Sequence, residues 1–178
     1  MGTACGPPCS ETIDRGSSLR INKAGHGVRI RLNPAESQVL EQLFYELQDV
    51  LEAVALDSSD PVRKRLYPAG YDDEQEASAF RELTESTLRQ DRTERVDLCL
   101  AELLTGRSLR RTEVMLDEEG IPRWLRVLND LRLTFGTRLG ISEDDDNELD
   151  DADPQVQLRA RYLWLTALQD VLVTTVMG

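Results

Sequence analysis

Leu19 to Val54 reads LRINKAGHGVRIRLNPAESQVLEQLFYELQDVLEAV, and two periods follow one another within it. Leu19, Ile21, Val28, Ile30 and Leu32 alternate with Arg20, Arg29 and Arg31 around Ala24-Gly25-His26-Gly27, the period of two and the Gly-rich turn of a β-hairpin. Asn33-Pro34-Ala35-Glu36 then supplies an N-cap, a proline at the first helical position and a carboxylate placed to reach back to the cap. Beyond it Val39, Leu40, Leu43, Phe44, Leu47, Val50, Leu51 and Val54 recur at helical spacing, one apolar stripe that fades at Asp57-Ser58-Ser59.

The rest of the chain repeats the helical half of that pattern. Asp60-Pro61 starts a short turn of helix through Leu66, which Pro68 and Gly70 end. Asp72 or Asp73 caps a helix carrying Ala77, Phe80, Leu83, Thr87 and Leu88. A further stripe of Val96, Cys99, Leu100, Leu103 and Leu104 runs to Gly106, and Gln90 to Thr93 leaves open whether these are one helix or two. Thr112 to Asp117 reads as extended, and Asp117-Glu118-Glu119-Gly120 turns it into a helix of Trp124, Val127, Leu128, Leu131, Phe135 and Leu139 that stops at Gly140. Asp153-Pro154 makes a cap and first-turn proline for a last helix of Leu158, Tyr162, Leu165, Leu168, Leu172 and Val176, with Trp164 beside that face. The expected fold is α+β and predominantly α-helical, an N-terminal β-hairpin packed on about five helices. Residues 19–178 form a single helical domain in this reading, with an acidic loop over 142–153 and a flexible tail over 1–18. With few aromatic residues available, Trp124 and Trp164 are both expected in the core.

Charge narrows the function classes. The chain carries a formal −12, and Ser142 to Pro154 alone holds eight acids with no base, which leaves 25 acids against 21 bases, or −4, elsewhere. An autonomous DNA binder ordinarily shows a basic face that neutralises phosphates, so direct DNA contact is not expected. Arg107, Arg110 and Arg111, and separately Arg123, Arg126 and Arg132, are the candidate basic patches, against the plainer reading of arginines on a solvated face. No apolar run is long enough to span a bilayer, and the opening MGTACGPPCSETIDRGSS lacks the basic start and apolar middle of a signal peptide, so a cytoplasmic protein with thiols at rest is expected.

Catalytic chemistry finds little to work with: one histidine, His26, no Gly-rich phosphate loop, no G-x-S-x-G and scattered carboxylates. The expectation is a protein that is not an enzyme, with no catalytic residues, cofactor or metal. In the acidic run, Leu149 stands where a calcium loop needs glycine and Gln155 where it needs a bidentate glutamate. The chemical candidate is Cys5-Gly6-Pro7-Pro8-Cys9. Fully extended, its Cα atoms would stand roughly 13 Å apart, and a disulfide needs about 5.5 Å; Gly6, Pro7 and Pro8 supply the bend. So small a ring stabilises by only about 2 kcal/mol, which suits a reversible switch. Two unused thiols in a tail is the other reading that the residues leave open. Cys99, on an apolar stripe, reads as a small inert hydrophobe.

Three segments are more particular than this: RLYPAGYDDEQEASAFRELT from Arg65, WLRVLNDLRLTFGTRLGI from Trp124, and YLWLTALQDVLV from Tyr162. Together they resemble the actinobacterial oxidative-stress transcriptional regulator family (AosR-like), over about residues 20 to 176. The resemblance implies a regulator that acts with a stress sigma factor and RNA polymerase to raise transcription of sulfur and antioxidant genes when an oxidant forms a disulfide in a C-x-x-x-C motif. Cys5 and Cys9 match that motif. The alternative is a non-redox interaction adaptor linked to proteolysis, which the family's frequent encoding beside ClpS suggests and in which the cysteines are incidental.

Overall fold

The computed structural model describes residues 19–54, 59–68, 74–142, 149 and 153–178. The hairpin is present: β1 (Arg20–Ala24) and β2 (Gly27–Leu32) pair antiparallel, with Ile21 opposite Ile30 and Arg20 opposite Arg31. Its tip is the pair Gly25-His26, and Gly25 takes φ +64°, which a two-residue hairpin turn demands. The extended segment anticipated after the third apolar stripe is a further strand, β3 (Thr112–Leu116), antiparallel to β2 with Ile30 opposite Val114. The expected hairpin is thus part of a three-stranded sheet in the order β1-β2-β3. Ile21, Val28, Ile30, Leu32, Val114 and Leu116 are buried on one face, and the alternate residues point the other way.

Five helices complete the described chain: α1 (Pro34–Val54), α2 (Pro61–Leu66), α3 (Glu74–Thr105), α4 (Gly120–Leu139) and α5 (Val156–Met177). The capping box forms as the spelling requires. Glu36 N–H donates to Asn33 Oδ1 at 2.8 Å, and Asn33 N–H donates to Glu36 Oε2 at 2.7 Å. Glu36 Oε1 also accepts from the N–H of Leu19 at 3.1 Å, so one buried carboxylate ties the start of the sheet to the start of α1. The uncertain stretch Gln90 to Thr93 is continuous helix inside α3, bridged by Gln90 to Glu94 and Asp91 to Arg95. Just past α3, a Cβ on Gly106 would fall 2.0 Å from the carbonyl oxygen of Glu113, so only glycine lets the returning strand come this close.

The α4 boundaries agree with the sequence. Asp117 Oδ1 accepts from Gly120 N–H at 2.7 Å, and Gly140 ends the helix at φ +67°. At α5 the cap is displaced: Asp153 accepts from Gln155 N–H, and the helix proper starts at Val156, so Pro154 belongs to the turn leading in. Phe44, Trp124, Phe135 and the buried leucines of α1, α3, α4 and α5 fill the interior, while Leu88 and Leu104 of the expected α3 stripes are exposed; Phe44 and Trp124 meet edge to face at 5.7 Å. Trp164 corrects an expectation, because it is only half-buried. It lies one residue off the Leu165, Leu168 and Leu172 face, and packs on the core from outside beside Val39. Among the described residues no helix is long and apolar enough to cross a membrane.

Candidate functional site

Two of the motif-bearing segments meet in space. Arg63, on α2, sends Nε and Nη2 to the two oxygens of Glu85 on α3, at 3.0 and 2.8 Å. One step along, Arg92 of α3 donates to Asp130 Oδ2 on α4 at 3.2 Å and to the carbonyl of Leu66 at 2.9 Å. Its guanidinium stands 4.8 Å from the ring centroid of Tyr67. Glu85, Tyr67 and Asp130 are buried, so α2, α3 and α4 are joined by a desolvated chain of charges. Burial raises the Asp130 carboxyl above its ordinary range, with Arg92 and Arg95 opposing, and burial raises the Tyr67 hydroxyl as well. That hydroxyl has no hydrogen-bond partner among the described residues.

Beside this cluster a cleft of about 440 Å³ opens between α3 and α4, lined by Leu88, Arg92, Arg95, Leu125, Arg126 and Asp130 among others. The charges at its floor already answer one another, so the arrangement is suited to fixing three helices together. The sequence did carry a signal for it: Asp130 stands between Val127, Leu128 and Leu131 on the buried side of α4, where an acid must have a partner.

The two expected arginine patches separate here. Arg123 is spent on Glu102, which also accepts from Trp124 Nε1 at 2.6 Å, and Arg132 donates to Gln169 at 3.0 Å, so two of the three α4 arginines are engaged separately and Arg126 is left as a single exposed base. Arg107 bridges to Glu41 at 2.6 Å and Arg111 to Glu113 at 3.3 Å. These two, with Arg110, border the sheet, whose strands add Arg20, Arg29 and Arg31.

A family model described as a domain of unknown function, DUF2017, matches residues 18–176. The chain belongs to the DUF2017 family. No curated protein and no solved structure matches it.

The DUF2017 match takes in every described strand and helix except the last residue of α5, and it begins one residue before Leu19. Cys5 and Cys9 therefore lie outside the DUF2017 span, and also outside the described residues. The cysteine inside it is Cys99, fully buried in α3. Burial pushes its thiol up to about 12, the charge of Glu102 adds to the rise, and Arg123 opposes it. A thiol held there has almost no thiolate at neutral pH and does not react as a nucleophile. The acidic residues Glu143 to Glu148 and Asp150 to Ala152 lie outside the described residues too; no group of His, Cys, Asp and Glu able to hold a metal occurs among the described ones.

Proposed function

We propose that this DUF2017 protein is a cytoplasmic, non-enzymatic regulator of transcription that works through protein contacts with a stress sigma factor and RNA polymerase. In this reading it senses oxidant through a reversible Cys5–Cys9 disulfide and raises sulfur and antioxidant gene expression. The supporting observation is the sequestration of Cys99. With that thiol sealed in the core, Cys5 and Cys9 are the two thiols left for an oxidant, and three intervening residues keep each at high effective concentration for the other. The oxidised product is then an intramolecular disulfide.

The test has a chemical arm and a binding arm. Thiol labelling of the native protein followed by mass mapping should modify Cys5 and Cys9 and leave Cys99 untouched, and mild peroxide should abolish the labelling of the first two in a monomer. Pull-down of the sigma factor or polymerase should change with peroxide for the wild type and not for a Cys5→Ser, Cys9→Ser double variant. Equal oxidant response in that variant would reject the switch.

One observation favours the runner-up. The DUF2017 match begins at residue 18, so the C-x-x-x-C segment lies outside the matched span. A non-redox protein-interaction adaptor, linked to proteolysis, fits that boundary, and a partner catch indifferent to peroxide is its expected signature.

A further inference from the structure

Charge is uneven along this chain. The strands β1 to β3 and the turn leading into β3, residues 20–31 and 107–116, hold seven bases, Arg20, Lys23, Arg29, Arg31, Arg107, Arg110 and Arg111, against the single acid Glu113; Lys23 shares the register side of Val28 and Arg107 is bridged to Glu41 of α1, which leaves Arg20, Arg29, Arg31, Arg110 and Arg111 for the outer face and the turn. The two segments together are +6 in a chain of −12, which leaves −18 on everything else. The register places the strand arginines together. Arg20, Arg31 and Glu113 stand directly opposite one another across the three strands, and so do Asn22, Arg29 and Met115. All six project from the face opposite the buried one.

Like charges directly opposite in an antiparallel pair destabilise it, and Arg20 facing Arg31 is such a pair. Glu113 is too few to compensate, being engaged by Arg31 at 2.7 Å and by Arg111 at 3.3 Å. Its carboxyl is held below the ordinary range by the Arg31 hydrogen bond first, with Arg111 and Arg29 also contributing. The apolar groups on this surface are exposed. Met115 is 52% exposed, and Leu109 is 100% exposed at the tip of a turn closed by Ser108 on the carbonyl of Arg111, at 2.9 Å from its N–H and 2.7 Å from its hydroxyl. The turn thus presents an exposed leucine beside arginines, and the sheet face an exposed methionine beside arginines, Arg and Met being residues that interfaces enrich.

We infer that the outer face of this sheet, with the Ser108 to Arg111 turn, docks an acidic segment of a partner protein that also carries apolar side chains. Arginine forks match carboxylates in pairs, Met115 and Leu109 give the apolar anchors, and the three strands make a flat strip about 10 Å across, the width of one helix. Nucleic acid is the weaker fit. A duplex has no use for exposed leucine and methionine, and a chain of net −12 repels its phosphates at long range. The inference rests on the reading of the chain as a protein-interaction module and is independent of the redox switch.

The probe is a fluorescent amphipathic peptide of about 15 residues built from Glu, Leu and Ala, long enough to cross the strip. It is titrated against the full chain, reduced and again after peroxide, beside its Glu→Gln version and a DNA duplex of similar length. The acidic peptide should bind saturably and more weakly as salt rises, and an Arg20→Ser, Arg29→Ser double variant should lose about tenfold or more in affinity. The same loss of charge at the exposed Arg65 and Arg126 should leave binding unchanged, and circular dichroism checks that both variants fold. Binding in both redox states supports the surface even if the switch fails. No binding of the peptide, equal loss in the two double variants, or tighter binding of the duplex than of the peptide would overturn the proposal.

Discussion

Asp130 is the residue whose surroundings and charge conflict most. It is buried between Val127 and Leu131 with one strong partner, Arg92, and its carboxyl is raised, so desolvation outweighs the attraction of the guanidinium. The folded state therefore holds this proton at pH values where the unfolded chain has released it. As pH rises from the unfolded to the folded value, stability attributable to Asp130 falls, opposite in sign to the usual carboxylate. The destabilisation caused by Asp130→Asn should accordingly be greatest in acid and shrink toward neutrality in urea unfolding; growth toward neutrality would show that the ion pair dominates. Truncation is a separate matter. Asp130→Ala leaves a mostly buried Arg92 without its counterion and should cost about 3 to 5 kcal/mol, more than an Arg92→Met, Asp130→Leu replacement of the whole pair. At this scale the sequence was legible where a residue answers only to its own helix: Trp124 and Cys99 are inside because their stripes are. Trp164 stands one position off its stripe, where burial depends on which neighbour covers it, and the stripe shows that Asp130 is buried without showing its partner, 38 residues away.

Elements were legible in proportion to how local their signals are. The hairpin turn, the Asn33 to Glu36 cap and the Gly140 stop are each spelled within a few residues, and all three are present. The pairing of β3 with β2 joins residues eighty or more positions apart, and period alone shows a strand without naming its neighbour. Continuity of α3 escaped because Gln90 to Thr93 carries no apolar side chain, while pairs of polar residues one turn apart hold the helix there. A prediction belongs to α1. Glu36 accepts the main-chain N–H groups of Leu19, just before β1, and of Asn33, just before α1, so Glu36→Ala should destabilise by about 1 to 2 kcal/mol and speed amide exchange at Leu19. Asn33→Ala, which loses only the forward half of the cap, should cost about 1 kcal/mol and leave Leu19 protected. Equal exchange at Leu19 in both variants would contradict the idea that Glu36 ties β1 to α1.

For the whole molecule the governing fact is uneven charge. Composition gave −12, and the acidic run was visible at once, but a basic sheet face required knowing that residues 20–31 and 107–116 are neighbours. The candidate site was legible in the same uneven way: Cys99 could be dismissed from its stripe, and the helix-joining cluster of Arg63, Glu85, Arg92 and Asp130 appears only once three helices are assembled. The acidic run holds eight of the chain's 33 carboxylates, and these repel one another with no base between them. If this segment only connects α4 to α5, its charge opposes folding, and replacing Glu143 to Asp151 with a Gly/Ser linker of equal length should leave the melting temperature unchanged or higher. The gain should be greatest at low ionic strength and vanish near 1 M salt, where screening acts over about 3 Å. Scanning calorimetry at the two salt concentrations separates the cases. A marked loss of stability at low salt, restored by no salt concentration, would mean that the run makes folded-state contacts of its own and is more than a connector.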